Sequence, residues 1–88
     1  MFYVYILYSQ QDNGLYIGYT TDINRRLIQH NAGESISTKH RRPLILIYYE
    51  AYMNKQDAQG REVFLKSGAG RRFLKKQLKH TNAEFKIN

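Results

Sequence analysis

Five side chains in this sequence are of the types that move protons and hold anions: Tyr5, Tyr16, Arg26, His30 and Glu62. Arg26 and His30 stand four residues apart, which on a helix puts them on one face. From there a bidentate guanidinium and an imidazole can reach the same phosphate, although a solvated pair is the ordinary outcome of such spacing. Glu62 shares a helical stripe with Ala58 and Leu65, residues that should point inward. A carboxylate on such a stripe needs a partner, either a cation such as Arg61, Lys66 or Arg26, or a metal ion. Helical period alone leaves both open. Tyr5 and Tyr16 lie in apolar runs that read as adjacent strands, where aromatic residues usually pack across the pair. A phenol with a pKa of about 10 is a poor base at neutral pH unless cations or donors stabilise its phenolate. Arg26 and His30, on the element that follows, are of the right kind to do so.

The elements that must position these groups can be read in order. Phe2 to Tyr8 is aromatic and β-branched without clean alternation, as expected of a strand buried on both faces. An Asn13-Gly14 turn signal then leads into Leu15 to Tyr19, which predicts an antiparallel hairpin. Thr20-Thr21-Asp22 offers cap residues for a helix from Ile23 to Asn31, stopped at Gly33. The polar, basic segment Glu34 to Arg42 reads as a loop. After Pro43 comes Leu44 to Glu50, a third strand. Asn54 is a plausible cap for a second helix to about Lys66, with Asp57 near the positive end of its dipole. Ser67-Gly68-Ala69-Gly70 interrupts the pattern, and Arg71 to His80 resumes as a basic amphipathic helix with Phe73, Leu74 and Leu78 inward. The predicted fold is α+β: a small, mainly antiparallel three-stranded sheet flanked by helices in the order β-β-α-β-α-α. Residues 1–80 are expected to form a single domain, and 81–88 a C-terminal tail held by little except Phe85.

Totals narrow the function classes. Eighty-eight residues suit one domain with a thin core, and so one site. No cysteine is present, which excludes disulfides, thiolate zinc clusters and a nucleophilic thiol. The apolar N-terminus lacks a basic lead-in and is too short to span a bilayer, so a soluble, cytoplasmic protein without membrane partners is expected. All 14 lysines and arginines lie at or beyond Arg25, against five of the seven acids, while the net charge is +7. A cationic surface of this size attracts polyanions, nucleic acid above all.

Taken together, Tyr3-Val4-Tyr5, Tyr16-Ile17-Gly18, Arg26, His30 and a later helical Glu62, in this order and spacing, resemble the GIY-YIG nuclease superfamily. The arrangement closely matches its small stand-alone bacterial YhbQ/YazA-like members and is similar to the nuclease modules of excision-repair and structure-specific endonucleases. It runs from about Phe2 to Lys76 and takes in the "TKHRRP" loop and the "GREVFLKS" helix.

The resemblance implies an endonuclease-type domain, of the repair and recombination kind, that hydrolyses DNA phosphodiesters with one divalent cation, Mg²⁺ or Mn²⁺, held by Glu62. It further implies Tyr5 as general base, Tyr16 orienting the water or sharing that role, and Arg26 neutralising the phosphorane. His30 would hydrogen-bond a tyrosine or phosphate and help carry its proton. Gly18 would give clearance beside Tyr16. Tyr3 replaces the glycine of the first motif. Tyr19 stands where several members carry a lysine, which removes one means of lowering a phenol's pKa.

Affinity for nucleic acid is expected from Lys39, Arg41 and Arg42 in the loop and from Lys66, Arg72, Lys75 and Lys76. Such residues contact phosphates rather than read sequence, so weak sequence preference is expected, with RNA as well as DNA compatible and a protein partner supplying targeting. Two other readings stand beside the nuclease: a nucleic-acid-binding module that cleaves little, and an adaptor that docks a protein through Tyr48, Tyr49 and Tyr52.

Overall fold

A computed structural model of the chain describes residues 1–88. Strands β1 (Phe2–Ser9) and β2 (Leu15–Thr20) form the expected hairpin. Helix α1 (Ile23–Asn31), a 3₁₀ turn at Lys39–Arg41 and strand β3 (Leu44–Tyr52) follow, then helices α2 (Lys55–Lys66), α3 (Gly68–Gln77) and α4 (Lys79–Phe85). The sheet is antiparallel throughout, in the order β2-β1-β3. The central strand is therefore the first one. It is buried from Val4 to Ser9, which explains why its sequence shows no polar alternation.

Side chains leave β1 alternately toward two helical layers. Val4 and Ile6 join Ile17 of β2, Ala58 and Leu65 of α2 and Leu74 of α3 in one core cluster. Tyr5 and Leu7 face the opposite way and pack with Leu44, Tyr16, Leu27 and Leu46. The thin core thus divides into a layer under α2 and α3 and a second layer, under α1, in which Tyr5 and Tyr16 are packed.

Caps set the helix ends. The Asp22 carboxylate accepts from Arg25 N at 3.1 Å, and the Asn54 side chain accepts from Gln56 N and Asp57 N. Asp22 and Asn54 are therefore the caps that their residue types suggest. Gly33 supplies the positive φ, 80°, that turns the chain out of α1. The Ser67–Gly70 stretch interrupts the helices less than expected. The Ser67 hydroxyl accepts from Gly70 N at 3.1 Å, so α3 starts at once, at Gly68. Gly70 is needed there, because a Cβ at this position would collide with the Phe64 carbonyl oxygen of α2.

The last residues fold as α4. The Phe85 ring packs on Tyr8 at 5.1 Å, the Tyr8 hydroxyl donates to Phe85 O, and Asn88 N donates to Asn13 O.

A β-bulge governs the third strand. Ile6 pairs with Tyr48 and Leu7 with Leu46, so Ile47 is an extra residue. Before it, Leu44 and Leu46 face α1; after it, Tyr48 and Tyr52 face the α2 layer. One inserted residue reverses which side of the sheet the even-numbered positions occupy. Glu50 is carried inward with them. It accepts from the Tyr48 and Tyr52 hydroxyls, each at 2.7 Å, and from Arg61 of α2 at 2.8 and 3.1 Å. The Arg61 guanidinium also lies over Phe64 and Phe73, 5.2 and 4.5 Å from the ring centres.

Candidate active site

The phenol-rich layer holds four of the five chemically suggestive residues in one cluster. β1 points Tyr5 toward α1, and β2 brings Tyr16 alongside, with ring centres 6.3 Å apart. From the last turn of α1, His30 enters edge-on to both rings, at 5.8 Å from Tyr5 and 5.1 Å from Tyr16. Tyr5 is 2% exposed and His30 wholly buried. Their polar atoms meet, with Tyr5 Oη 2.8 Å from His30 Nε2. The second ring nitrogen, Nδ1, lies 2.6 Å from Thr38 Oγ1.

Gly18 sits directly across from Tyr5 in the hairpin register. The Tyr5 ring lies on the space where a side chain would stand: a Cβ there would be 2.8 Å from Cε1 and closer still to Cζ and the hydroxyl oxygen. The clearance that Gly18 provides is thus for Tyr5, across the strand pair.

Electrostatics follow from this packing. Burial raises the Tyr5 pKa above its ordinary value and Arg26 opposes it, by hydrogen bonding and by charge, while Tyr16 and Glu62 add to the rise. Burial lowers the His30 pKa, and the Arg26 charge lowers it further, so the imidazole is neutral at physiological pH. Arg26 donates from Nη1 to Gln29 Oε1 at 3.0 Å, which steadies the guanidinium beside the two rings.

Glu62 comes from α2, half-buried, and its charge is felt at the Tyr5 phenol. One carboxylate oxygen accepts from Lys66 Nζ at 3.0 Å, one turn along the helix, and the other has no hydrogen-bond partner. No group of three or more His, Cys, Asp or Glu side chains is placed to hold a metal. The donor set is therefore one hard carboxylate with an open oxygen. That fits Mg²⁺ or Mn²⁺ bound with most of its shell from water and phosphate oxygens, and does not fit a fully protein-ligated ion.

The basic residues divide among different places. Lys39 and Arg42 border a shallow polar basin with Asn31, His40 and Pro43. Arg41 is turned away and held by the Asp12 carboxylate, Nε to Oδ2 at 2.6 Å and Nη2 to Oδ1 at 3.2 Å. This contact keeps the Asp12 pKa down at about 2. Arg72 and Lys75, with Arg71, rim a cleft of about 280 Å³ between β2 and α3, floored by Leu15, Ile17 and Leu74. Lys76 is exposed on the same helix and Lys66 is occupied with Glu62. The aromatic face of β3 is also altered by the bulge. Tyr48 and Tyr52 bind Glu50, with pKa values pushed up to about 12 by burial and by that carboxylate. Tyr49 alone of the three is exposed.

Thr38 is the residue that sequence reasoning passes over. It lies in the loop read as a source of phosphate contacts, yet it is fully buried. Its only sequence signal is a hydroxyl amino acid just before a run of basic ones.

A family model described as the GIY-YIG catalytic domain matches residues 1–82. Among curated proteins, a UPF0213 protein of Staphylococcus haemolyticus is 43% identical over 74 residues, covering 83% of this chain and 89% of its own. One from Pediococcus acidilactici is 38% identical over 77 residues, covering 84% and 78%. Another, from Streptococcus pyogenes, is 43% identical over 65 residues, covering 73% and 70%. No solved structure gives a significant match.

Proposed function

Because the chain belongs to the GIY-YIG catalytic domain family, we propose that it is an endonuclease-type hydrolase cutting phosphodiester bonds, with DNA as its substrate ahead of RNA. The observation that carries this reading is the buried Tyr5–His30 hydrogen bond, with the Tyr16 ring edge-on to His30 and the Arg26 charge acting on both groups.

Each residue has a role that its placement supports. Tyr5 takes a proton from the attacking water, so its oxygen must react as a phenolate. Arg26 supplies the charge that favours this form and meets the negative charge of the phosphate in the transition state. Tyr16 orients the water. His30 steadies the Tyr5 oxygen by its hydrogen bond. Glu62 would hold the divalent cation. When bound, that ion supplies Lewis-acid stabilisation of the leaving 3′ oxygen and cancels the carboxylate charge that holds the Tyr5 proton on. Exposed lysines and arginines of the loop and α3 give affinity through phosphates, with little sequence preference.

No helix is long and apolar enough to cross a membrane. We place the activity in the cytoplasm, in repair or recombination, with a protein partner providing targeting. A second reading, binding without efficient cleavage, is favoured by one observation: burial leaves the Tyr5 pKa above its ordinary value despite Arg26. The face of Tyr48, Tyr49 and Tyr52 supports docking less well, since two of its phenols are turned inward to Glu50.

The test is cleavage of single-stranded, branched and plasmid DNA with and without Mg²⁺ or Mn²⁺, beside Glu62→Ala and Arg26→Ala. Metal-dependent cleavage lost in both variants is expected. Cleavage that persists in Glu62→Ala would overturn the cation site. Salt-sensitive binding without any cleavage would select the binding module.

A further inference from the structure

Thr38, His30 and Tyr5 form a line of three hydrogen-bonding groups with two hydroxyl hydrogens and, in a neutral ring, one N–H. Two contacts consume two of those three donors, so one hydroxyl at an end of the line must donate elsewhere. If the line runs from Tyr5 through His30 to Thr38, the surplus donor is the Thr38 hydroxyl. That group is fully buried, and His30 Nδ1 is its sole hydrogen-bond partner. A buried donor without an acceptor is among the costlier defects a core can carry. If the line runs the other way, the surplus donor is the Tyr5 hydroxyl. Tyr5 is buried as well, but it is the group that ionises in the nuclease reading, and a phenolate at that end leaves the line with no surplus donor. The ring itself is neutral, as the line requires.

We propose that Thr38 donates to His30 Nδ1 and so fixes the ring as the Nε2–H tautomer, making His30 a hydrogen-bond donor to the Tyr5 oxygen and Thr38 a positioning residue. The imidazole then does not receive the Tyr5 proton. It adds a donor to the Tyr5 oxygen, which together with the Arg26 charge favours phenolate, the proton passing to solvent water rather than to the ring. Both the preferred tautomer and its consequence for rate rest on the nuclease reading.

Two measurements separate the two. Long-range ¹H–¹⁵N spectra of the ¹⁵N-labelled, metal-free protein report which nitrogen of His30 bears hydrogen, with the exposed His40 and His80 assigned by substitution. A bare Nδ1 and a protonated Nε2 are expected in the wild type and in Thr38→Ser. Thr38→Val should raise the Nδ1–H population and lower kcat about tenfold, the scale of one buried hydrogen bond, with KM within about twofold. Thr38→Ser should restore both. A wild-type ring protonated at Nδ1 overturns the proposal, as does a Thr38→Val variant with the wild-type tautomer and kcat. If Thr38→Val does not fold, the wild-type and Thr38→Ser spectra still decide. If the wild type cleaves no DNA, the nuclease reading falls and the spectra still decide the tautomer.

Discussion

Replacing Gly18 by alanine tests the site at its tightest contact. Gly18 has ordinary extended backbone, so alanine meets no conformational obstacle and would by itself favour the strand by about 0.5–1 kcal/mol. The new methyl, however, would fall at 2.8 Å or less from three atoms at the end of the Tyr5 ring. Restoring an ordinary carbon contact near 3.5 Å requires the phenol to retreat by about 1 Å. The Tyr5–His30 separation of 2.8 Å then passes the limit of a useful hydrogen bond. Overpacking costs about 1–3 kcal/mol and the lost bond about 1 kcal/mol, so the net destabilisation is about 1–3 kcal/mol after the strand preference is offset. A small domain survives that loss. Urea unfolding measures it. Catalysis should suffer more: a displacement of about 1 Å in a reacting group costs on the order of a hundredfold in rate. The contact itself is isolated by repeating Gly18→Ala in a Tyr5→Leu background, where the destabilisation should shrink to a few tenths of a kcal/mol. A Gly18→Ala protein as stable and as active as the wild type would refute the reasoning. So would an undiminished destabilisation in the Tyr5→Leu background.

Glycines elsewhere should behave in opposite ways: Gly60→Ala, in open space on α2, should raise stability by about 0.5–1 kcal/mol, and Gly70→Ala should cost about 3 kcal/mol or more by forcing α2 from α3, both read by denaturant unfolding. The Asp12 carboxyl titrates at about 2 when folded and about 3.8 when free, so its pair with Arg41 contributes stability above pH ~4 that disappears as pH falls toward 2. Asp12→Asn should remove this part of the acid dependence, seen as a shallower fall of melting temperature between those values. For DNA binding, Lys39→Ala and Lys75→Ala should each weaken affinity on all sequences alike and reduce the salt slope by about one.

Much of this molecule is legible in its residues, for local reasons. The hairpin follows from an Asn-Gly turn between apolar runs, and α1 and α2 begin at Asp22 and Asn54 because short polar side chains there can accept from the open helix end. The convergence of Tyr5, Tyr16, Arg26 and His30 follows from alternation along the strands and from one helical turn. Three features are not local. The bulge at Ile47 leaves no mark in the apolar run Leu44 to Tyr49, yet it decides which face Tyr48, Glu50 and Tyr52 occupy. Burial of Thr38 depends on how a loop folds back under α1, and a polar sequence conceals it. Arg41 reads as a free cation until the hairpin loop brings Asp12 to it from 29 residues away.

The clamp that holds Arg61 has a bearing on its neighbour in sequence. Successive residues on a helix point about 100° apart, so fixing one sets the compass bearing of the next. Glu50 grips the Arg61 guanidinium from the sheet while the Phe64 and Phe73 rings close over it, and α2 cannot roll about its axis while that grip lasts. Glu62, the next residue, takes its heading from this lock. A lesion at Glu50 or Arg61 would thus leave every proposed catalytic residue in place and detune the site by angle alone.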